Sequence, residues 1–422
     1  MTSPEVALVE SLQSRVDGLI DFQVGILDSL KKGMSPENVA GLARDFLIGV
    51  YGNGNMDSSP PSGADLGFSV NNSCNLKCPH CYYHNTHNPG SLEGGALNEE
   101  QWREVTSQAI DLGFHHLSVV GKEALLSPRK TEAIIETISQ KRSQGIPIKY
   151  EIITNGTKIK QNIGWLGKYP DFYFFSVSVD GHERDHDKIR GDGNYRKSLE
   201  GITSARDAGI KNLTAIFTAM PHNVESLERM TQDLSEAGVK YLTIGYCFPT
   251  EYNNQGLTAG LSLFDRTVEI ARKLPPSLGV SLNLLGDEHA GIIAKLYNRG
   301  FFTPEKLVAT GDLAPSILVP ISERSEKSPR ANVLCTILPT VFYSGFRVDY
   351  DGTAMDFCAD LRGGEKRGFG NVKNKTISAL YQESRNIWEG YTVKYYERLA
   401  RALKGESVGP VKGWYDMTGV KT

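Results

Sequence analysis

Asn71-Asn72-Ser73-Cys74-Asn75-Leu76-Lys77-Cys78-Pro79-His80-Cys81-Tyr82-Tyr83 decides how the rest of this chain is read. Its cysteines are spaced C-x3-C-x2-C. Three thiolates on one short loop can hold three corners of an iron–sulfur cube and leave the fourth iron open to a second molecule. Proteins built only to carry electrons usually close all four corners with cysteine. The plainer alternative is zinc, held by Cys74, Cys78, Cys81 and either His80 or His84. Zinc sites usually draw on two knuckles, and the chain has no second C-x2-C pair.

The loop follows a run, Leu66–Asn72, that reads as a strand, and from there strands and helices alternate. Asn98-Glu99-Glu100-Gln101 has the form of a capped helix start. Further strands are expected at His115–Val120, Ile148–Thr154, Phe172–Val179, Leu213–Ala219 and Tyr241–Cys247. Helices are expected near 129–144, 196–208, 224–237 and 262–273, with a long loop ahead of the second. About six β/α units predict a parallel barrel or open parallel sheet, with the active site at the carboxyl ends of the strands.

Upstream, Ser3-Pro4-Glu5 and Ser35-Pro36-Glu37 start two helices, the second running to about Tyr51, and 52–65 has the composition of a linker. Downstream of 275 the periodicity weakens. The exception is a hairpin over Phe346–Phe357 that turns at Asp351-Gly352, followed by helices around 376–387 and 391–403. The expected organisation is a helical appendage at 1–60, a barrel at 66–275 and a C-terminal α+β module at 276–422.

Composition narrows the function. The 422 residues are 40% hydrophobic with a net charge of −3 and no block of Lys/Arg, so neither nucleic acid nor an acidic membrane surface is indicated. No apolar run approaches the roughly 20 residues of a membrane span, and the first residues lack a signal-peptide core. A soluble, cytoplasmic protein is expected. Six cysteines in such a chain are metal ligands or reactive thiols rather than a disulfide framework.

The motifs resemble those of the radical SAM superfamily, whose signature is C-x3-C-x2-C with an aromatic beside the last cysteine, here Tyr82. Gly121-Lys122-Glu123-Ala124 resembles that family's Gly-Gly-Glu-Pro strand end, with Lys122 and Ala124 departing from it. Thr154-Asn155-Gly156-Thr157 resembles its Thr-Asn-Gly loop. Ser178-Val179-Asp180-Gly181 followed by His186-Asp187-Lys188-Ile189-Arg190-Gly191 resembles an element typical of members with a SPASM or twitch extension. The resemblance implies a partial (β/α)6 TIM barrel with a twitch-like C-terminal module, a 4Fe-4S cluster on Cys74, Cys78 and Cys81, and S-adenosylmethionine (SAM) on the open iron. It implies reductive cleavage of SAM to methionine and a 5′-deoxyadenosyl radical that abstracts hydrogen, fed by a flavodoxin- or ferredoxin-type reductant.

By the same resemblance, Glu123 holds the SAM ammonium and Gly121 admits the methionyl group. Ser178 and Arg190 take the ribose or carboxylate, and Asn155 shapes the pocket. The bland readings are an ordinary turn at Asn155-Gly156, a loop cap at Asp180 and a surface ion pair at Arg190. His115 and His116 read as structural. The substrate expected first is a peptide or amino-acid side chain. The alternative is a sugar or aminocyclitol intermediate of natural-product biosynthesis, epimerised or oxidised. A non-enzymatic iron–sulfur scaffold is a third reading, disfavoured by Glu123 and Arg190. Cys335, Gly352, Cys358 and Gly370-Asn371-Val372 outline the C-terminal module, but no cysteine follows Cys358. Cys247, Cys335 and Cys358 therefore either bind no cluster, hold an auxiliary one together, or leave Cys247 as a hydrogen-atom donor.

Overall fold

The computed structural model describes residues 4–51, 60, 64–81, 95–247, 255–257, 260–274, 277–302, 308–310, 316–322, 331–338, 344–355 and 368–408. Six strands carry the barrel segment: β1 (Asp65–Ser69), β2 (His116–Val120), β3 (Lys149–Thr154), β4 (Phe174–Ser178), β5 (Leu213–Ala219) and β6 (Tyr241–Tyr246). They pair in chain order, all parallel. After two helices, α1 (Pro4–Lys31) and α2 (Pro36–Tyr51), the crossovers run through α3 (Glu99–Leu112), α4 (Pro128–Ser143), α5 (Ile159–Leu166), α6 (Glu183–Arg190), α7 (Asn194–Asp207) and α8 (Leu227–Ala237). The six expected β/α units are all present.

Alternation along the strands makes two unlike faces. Phe68, Leu117, Ile152, Phe175, Val177, Ala215, Phe217 and Ile244 are wholly or almost wholly buried, packed with Trp102, Ile134, Ile135, Ile202 and Leu234 from the helices. The opposite face carries Ser118, Glu151, Ser176, Ser178, Thr214, Thr218 and Thr243, with Ser118 paired to Glu151 and Ser176 to Thr214. Parallel strands covered on one side only by helices leave the other side for a ligand.

The sheet does not stop where the sequence pattern weakens. α9 (Leu261–Ala271) leads to β7 (Gly279–Leu285), parallel to β6, and α10 (Gly286–Asn298) follows. β8 (Val308–Thr310), β9 (Ser316–Pro320) and β10 (Ala331–Thr336) extend that flank, β10 pairing with β7. β11 (Ser344–Val348) returns to lie parallel to β1 on the other flank, and β12 (Thr353–Met355) and β13 (Gly370–Asn371) continue outward. The result is one open sheet of thirteen strands among the described residues. The C-terminal residues thus supply both flanks of the sheet. The hairpin turns at Gly352, where φ is 89°.

Where two C-terminal helices are expected, there is one, α11 (Ile377–Leu403). Gly390 disfavours helix but does not break it, because Tyr381, Tyr391, Tyr395, Tyr396 and Leu399 bury one side of the rod. α1 and α2 pack against α11. Gln23 of α1 accepts the Ile337 N–H at 3.1 Å, and the Tyr395 hydroxyl donates to the Ile337 carbonyl at 2.5 Å. The expected linker lies mostly outside the described residues. No described helix is long and apolar enough to cross a membrane.

Candidate active site

Immediately after β1 the chain enters the cysteine loop. Cys78 is buried, Cys74 and Cys81 are half-buried, and none is in a disulfide. A turn from the Cys81 N–H to the Cys78 carbonyl, 3.1 Å, draws the last two together. Burial raises the Cys78 thiol to about 12, with Asp180, Cys81 and Cys74 adding to the rise and Arg190 opposing it. Burial likewise raises Cys74, and Glu123 and Cys81 add to it. The three sulfurs therefore feel one another's charge.

Among the described residues no three His, Cys, Asp or Glu side chains converge as one metal ion requires. A cubane asks for less convergence, because each thiolate takes a different iron. Cys74 also accepts the Leu76 N–H at 3.4 Å and faces Asn155 Nδ2 at 3.9 Å. Donors aimed at sulfur tune iron–sulfur groups, and this donor set fits one. Tyr82 and His84 lie outside the described residues.

The next two strand ends clamp the loop. Gly121 has φ 134°, a backbone conformation that residues with a side chain rarely adopt, and it lies against the Ser69 backbone at the end of β1. No described residue other than glycine has positive φ, so Lys122 occupies the next position without strain. Glu123 is buried, and its carboxylate accepts from Thr154 Oγ1 at 2.6 Å, the Asn155 N–H at 2.7 Å and the Leu125 N–H at 3.1 Å. Burial raises its pKa, and those hydrogen bonds oppose the rise. Asn71 braces the Glu123 carbonyl at 2.7 Å.

Asn155 donates to Asn75 Oδ1 at 3.0 Å, and Asn75 donates to Thr157 Oγ1 at 2.9 Å. The Thr-Asn-Gly-Thr string is thus a clasp on the cysteine loop as well as a turn. Gly156, φ 85°, has room for no side chain, since a Cβ would meet Val177 at 2.7 Å.

Asp180 follows β4 and is wholly buried. The segment expected as a loop after it contains α6, whose sequence Glu-Arg-Asp-His-Asp-Lys-Ile-Arg lacks an apolar stripe and buries only His186 and Ile189. Specific bonds hold it instead. His186 Nδ1 accepts the Asp180 N–H at 3.2 Å, and burial pushes this imidazole down to about 4. Asp187 accepts the N–H groups of Gly193 and Tyr195 at 2.7 and 2.8 Å, fixing the start of α7. Arg190 Nε then donates to Asp180 Oδ2 at 2.6 Å, with both side chains at most a tenth exposed. The pair is buried, not a surface ion pair. Cys78 and Cys81 also act electrostatically on Arg190, which places it beside the cysteine loop.

Ser178 ends β4 on the polar face. Cys247 directly follows β6 and continues the face of Thr243 and Gly245. It is buried in a small apolar cluster with Ile189 and Met220, and burial, then Asp180, raises its thiol to about 12. Cys335 pairs with Leu284 in β7 and lies within the main apolar core, its thiol raised by burial alone. The structure brings Cys247 to the site end and leaves Cys335 in the core. Cys358 lies outside the described residues.

The carboxyl ends of β1, β2, β3 and β4 thus converge on three thiols, a buried carboxylate and a buried guanidinium. Comparison with known proteins agrees. Residues 68–234 match the model of the Radical SAM superfamily. The chain is 27% identical over 176 residues to the antilisterial bacteriocin subtilosin biosynthesis protein AlbA of Bacillus subtilis, spanning 41% of this chain and 37% of AlbA. It is 25% identical over 257 residues to GTP 3′,8-cyclase of Parasynechococcus marenigrum, spanning 55% of this chain and 73% of the cyclase. It spans 39% of Fe-coproporphyrin III synthase of Methanosarcina barkeri, so of some relatives it matches well under half the length. Among solved structures, Streptococcus suis SuiB bound to S-adenosylmethionine superposes with TM-score 0.55 at 13% identity, over 80% of this chain and 71% of SuiB. SuiB bound to precursor peptide SuiA gives 0.54 at 14%, over 77% and 65%. Residues 68–234 thus form a radical SAM domain by the match to that family's model.

Proposed function

We propose that this protein is a radical SAM enzyme that modifies a C–H bond of a peptide or amino-acid side chain. The observation that carries the chemistry is the convergence of Cys74, Cys78 and Cys81 with Glu123, Asn155 and Arg190 at one end of the parallel sheet. When bound, the cluster and SAM supply the 5′-deoxyadenosyl radical that takes hydrogen from an unactivated carbon. The chain's own residues bind and orient. Cys74, Cys78 and Cys81 would hold the cluster, and Asn155 and the Leu76 N–H face the Cys74 sulfur.

Glu123 takes the SAM ammonium. Three donors fix its carboxylate, and a carboxylate has about four acceptor positions, so one remains. Arg190 takes the SAM carboxylate. Among the described residues its side-chain hydrogen bond uses Nε, which leaves the two-nitrogen end that suits a carboxylate. Gly121 and Ser178 line the same rim. A low-potential flavodoxin- or ferredoxin-type protein supplies the electron.

The peptide reading is supported by AlbA, named for bacteriocin biosynthesis, and by SuiB, solved with a precursor peptide. A second reading rests on Cys247. A buried thiol on the polar face, amid Ile189 and Met220, suits a hydrogen-atom donor that inverts a stereocentre, with a sugar or aminocyclitol as substrate.

The test is anaerobic incubation with SAM, dithionite and either peptide or aminocyclitol candidates. Formation of 5′-deoxyadenosine stimulated by a peptide, with a mass change in that peptide, is expected. Stimulation by the sugar class alone would replace this reading with the second. Cys247→Ala then separates the roles: a hydrogen-atom donor loses product and keeps 5′-deoxyadenosine.

A further inference from the structure

Asp180 joins four parts of the molecule through one residue. Its Oδ2 accepts Arg190 Nε of α6 at 2.6 Å and lies 3.5 Å from His80 Nε2 in the cysteine loop. Its Oδ1 accepts the Thr218 N–H of β5 at 2.8 Å. Its own N–H reaches His186 Nδ1 at 3.2 Å, and its carbonyl accepts Asn223 Nδ2 at 3.2 Å. No part of it is exposed. A carboxylate bonded to Arg190 and Thr218, on a backbone itself held by His186 and Asn223, cannot follow a partner that moves, so its partners are fixed by it. The geometry of the arginine contact is particular. Binding through Nε alone fixes the guanidinium plane while sparing its two terminal nitrogens, the edge that forms paired bonds to a second carboxylate.

We propose that Asp180 is a positioning residue that orients Arg190 toward SAM and ties His80, and with it the cysteine loop, to the same anchor. This rests on the reading that Arg190 takes the SAM carboxylate. Asp180 does not touch SAM; it acts through Arg190 and His80. The rival explanation is that Asp180 only neutralises a buried guanidinium, and the two differ in what a displaced charge does.

The experiment measures equilibrium SAM binding to the anaerobically reconstituted full chain, with iron counted in the same samples. Asp180→Glu keeps the charge and moves it by one methylene. Asp180→Asn keeps the shape and removes the charge. Positioning predicts SAM binding weaker by about tenfold or more in both, the scale of a lost charged hydrogen bond, with about four irons per chain retained. The double variant Asp180→Asn/Arg190→Gln should bind no more weakly than Arg190→Gln alone, because both changes remove one interaction. Wild-type affinity in Asp180→Glu, or losses that multiply in the double variant, would overturn the proposal. If Asp180→Asn fails to fold, the glutamate variant decides by itself. Failure of the wild type to bind SAM would overturn the reading of Arg190 and this inference with it, whereas normal wild-type binding with an indifferent Asp180→Glu overturns the inference alone.

Discussion

The two ends of the sheet's polar face handle buried charge in opposite ways. At the carboxyl end, Asp180 is paired with Arg190, which holds its carboxyl below the usual range despite burial, and Glu123 is met by three donors. At the amino end, Asp65 and Glu151 meet no lysine or arginine among the described residues. They share the Ser118 hydroxyl, 2.9 Å from both Asp65 oxygens and 2.8 Å from Glu151 Oε1, and His116 Nδ1 stands 3.6 Å from Asp65. One hydroxyl hydrogen serves one acceptor, so both contacts are satisfied only if a carboxyl carries a proton. Burial accordingly raises Asp65 to about 7 and Glu151 in the same direction. One end keeps its charges; the other stores a proton.

Substitutions at the two ends should therefore differ in kind. The largest effect is expected from Cys78→Ala. Iron after anaerobic reconstitution should fall from about four per chain to a small fraction of that, because two thiolates do not retain a cubane. Iron retained at the wild-type level would break the assignment of the site end. Next is Glu123→Gln. Replacing a charged acceptor of three hydrogen bonds should cost about 1–3 kcal/mol in unfolding free energy and weaken SAM binding at least about tenfold. A loss of stability with unchanged SAM affinity would leave Glu123 as a brace only.

The amino end answers to pH. A carboxyl whose folded pKa is raised binds more protons folded than unfolded, so its contribution is complete below pH about 4 and lost as pH rises through about 7. Denaturant unfolding of the wild type should show stability falling by about 2 kcal/mol between pH 5 and pH 8, because Asp65 and Glu151 share one hydroxyl and the Asp65 side chain is 25% exposed. Asp65→Asn should flatten that slope while leaving iron content unchanged. An undiminished slope would mean that the shared proton is not there. The smallest effect belongs to Cys335→Ala, which should cost about 1–2 kcal/mol through a small cavity and leave iron unchanged. A loss of iron would place Cys335 in an auxiliary cluster despite its position in the core.

Much of this was readable from residue order. The apolar runs of β1 to β6 stand out because each buries alternate residues under helices, and Cys74, Cys78 and Cys81 declare themselves by spacing. Helix α6 does not, because its eight residues are held by His186 and Asp187 bonding rather than by an apolar stripe. β7 alternates Val280, Leu282 and Leu284 plainly enough, but nothing local says that its neighbour is β6 or that β11 will return to β1. Asp180 is the clearest loss. A single aspartate after a strand looks like a loop cap, and its five partners come from positions 80 to 223, distances that no local pattern spans.

On the proposed function, the convergence of Cys74, Cys78 and Cys81 with Glu123 and Arg190 is a SAM-cleaving site. The direct measurement is 5′-deoxyadenosine and methionine formed by the reconstituted wild-type chain with SAM and dithionite under anaerobic conditions, beside Cys78→Ala. Equal amounts of both products are expected from the wild type and none above background from the variant. A wild-type chain that holds its cluster, binds SAM and yields neither product would contradict that function.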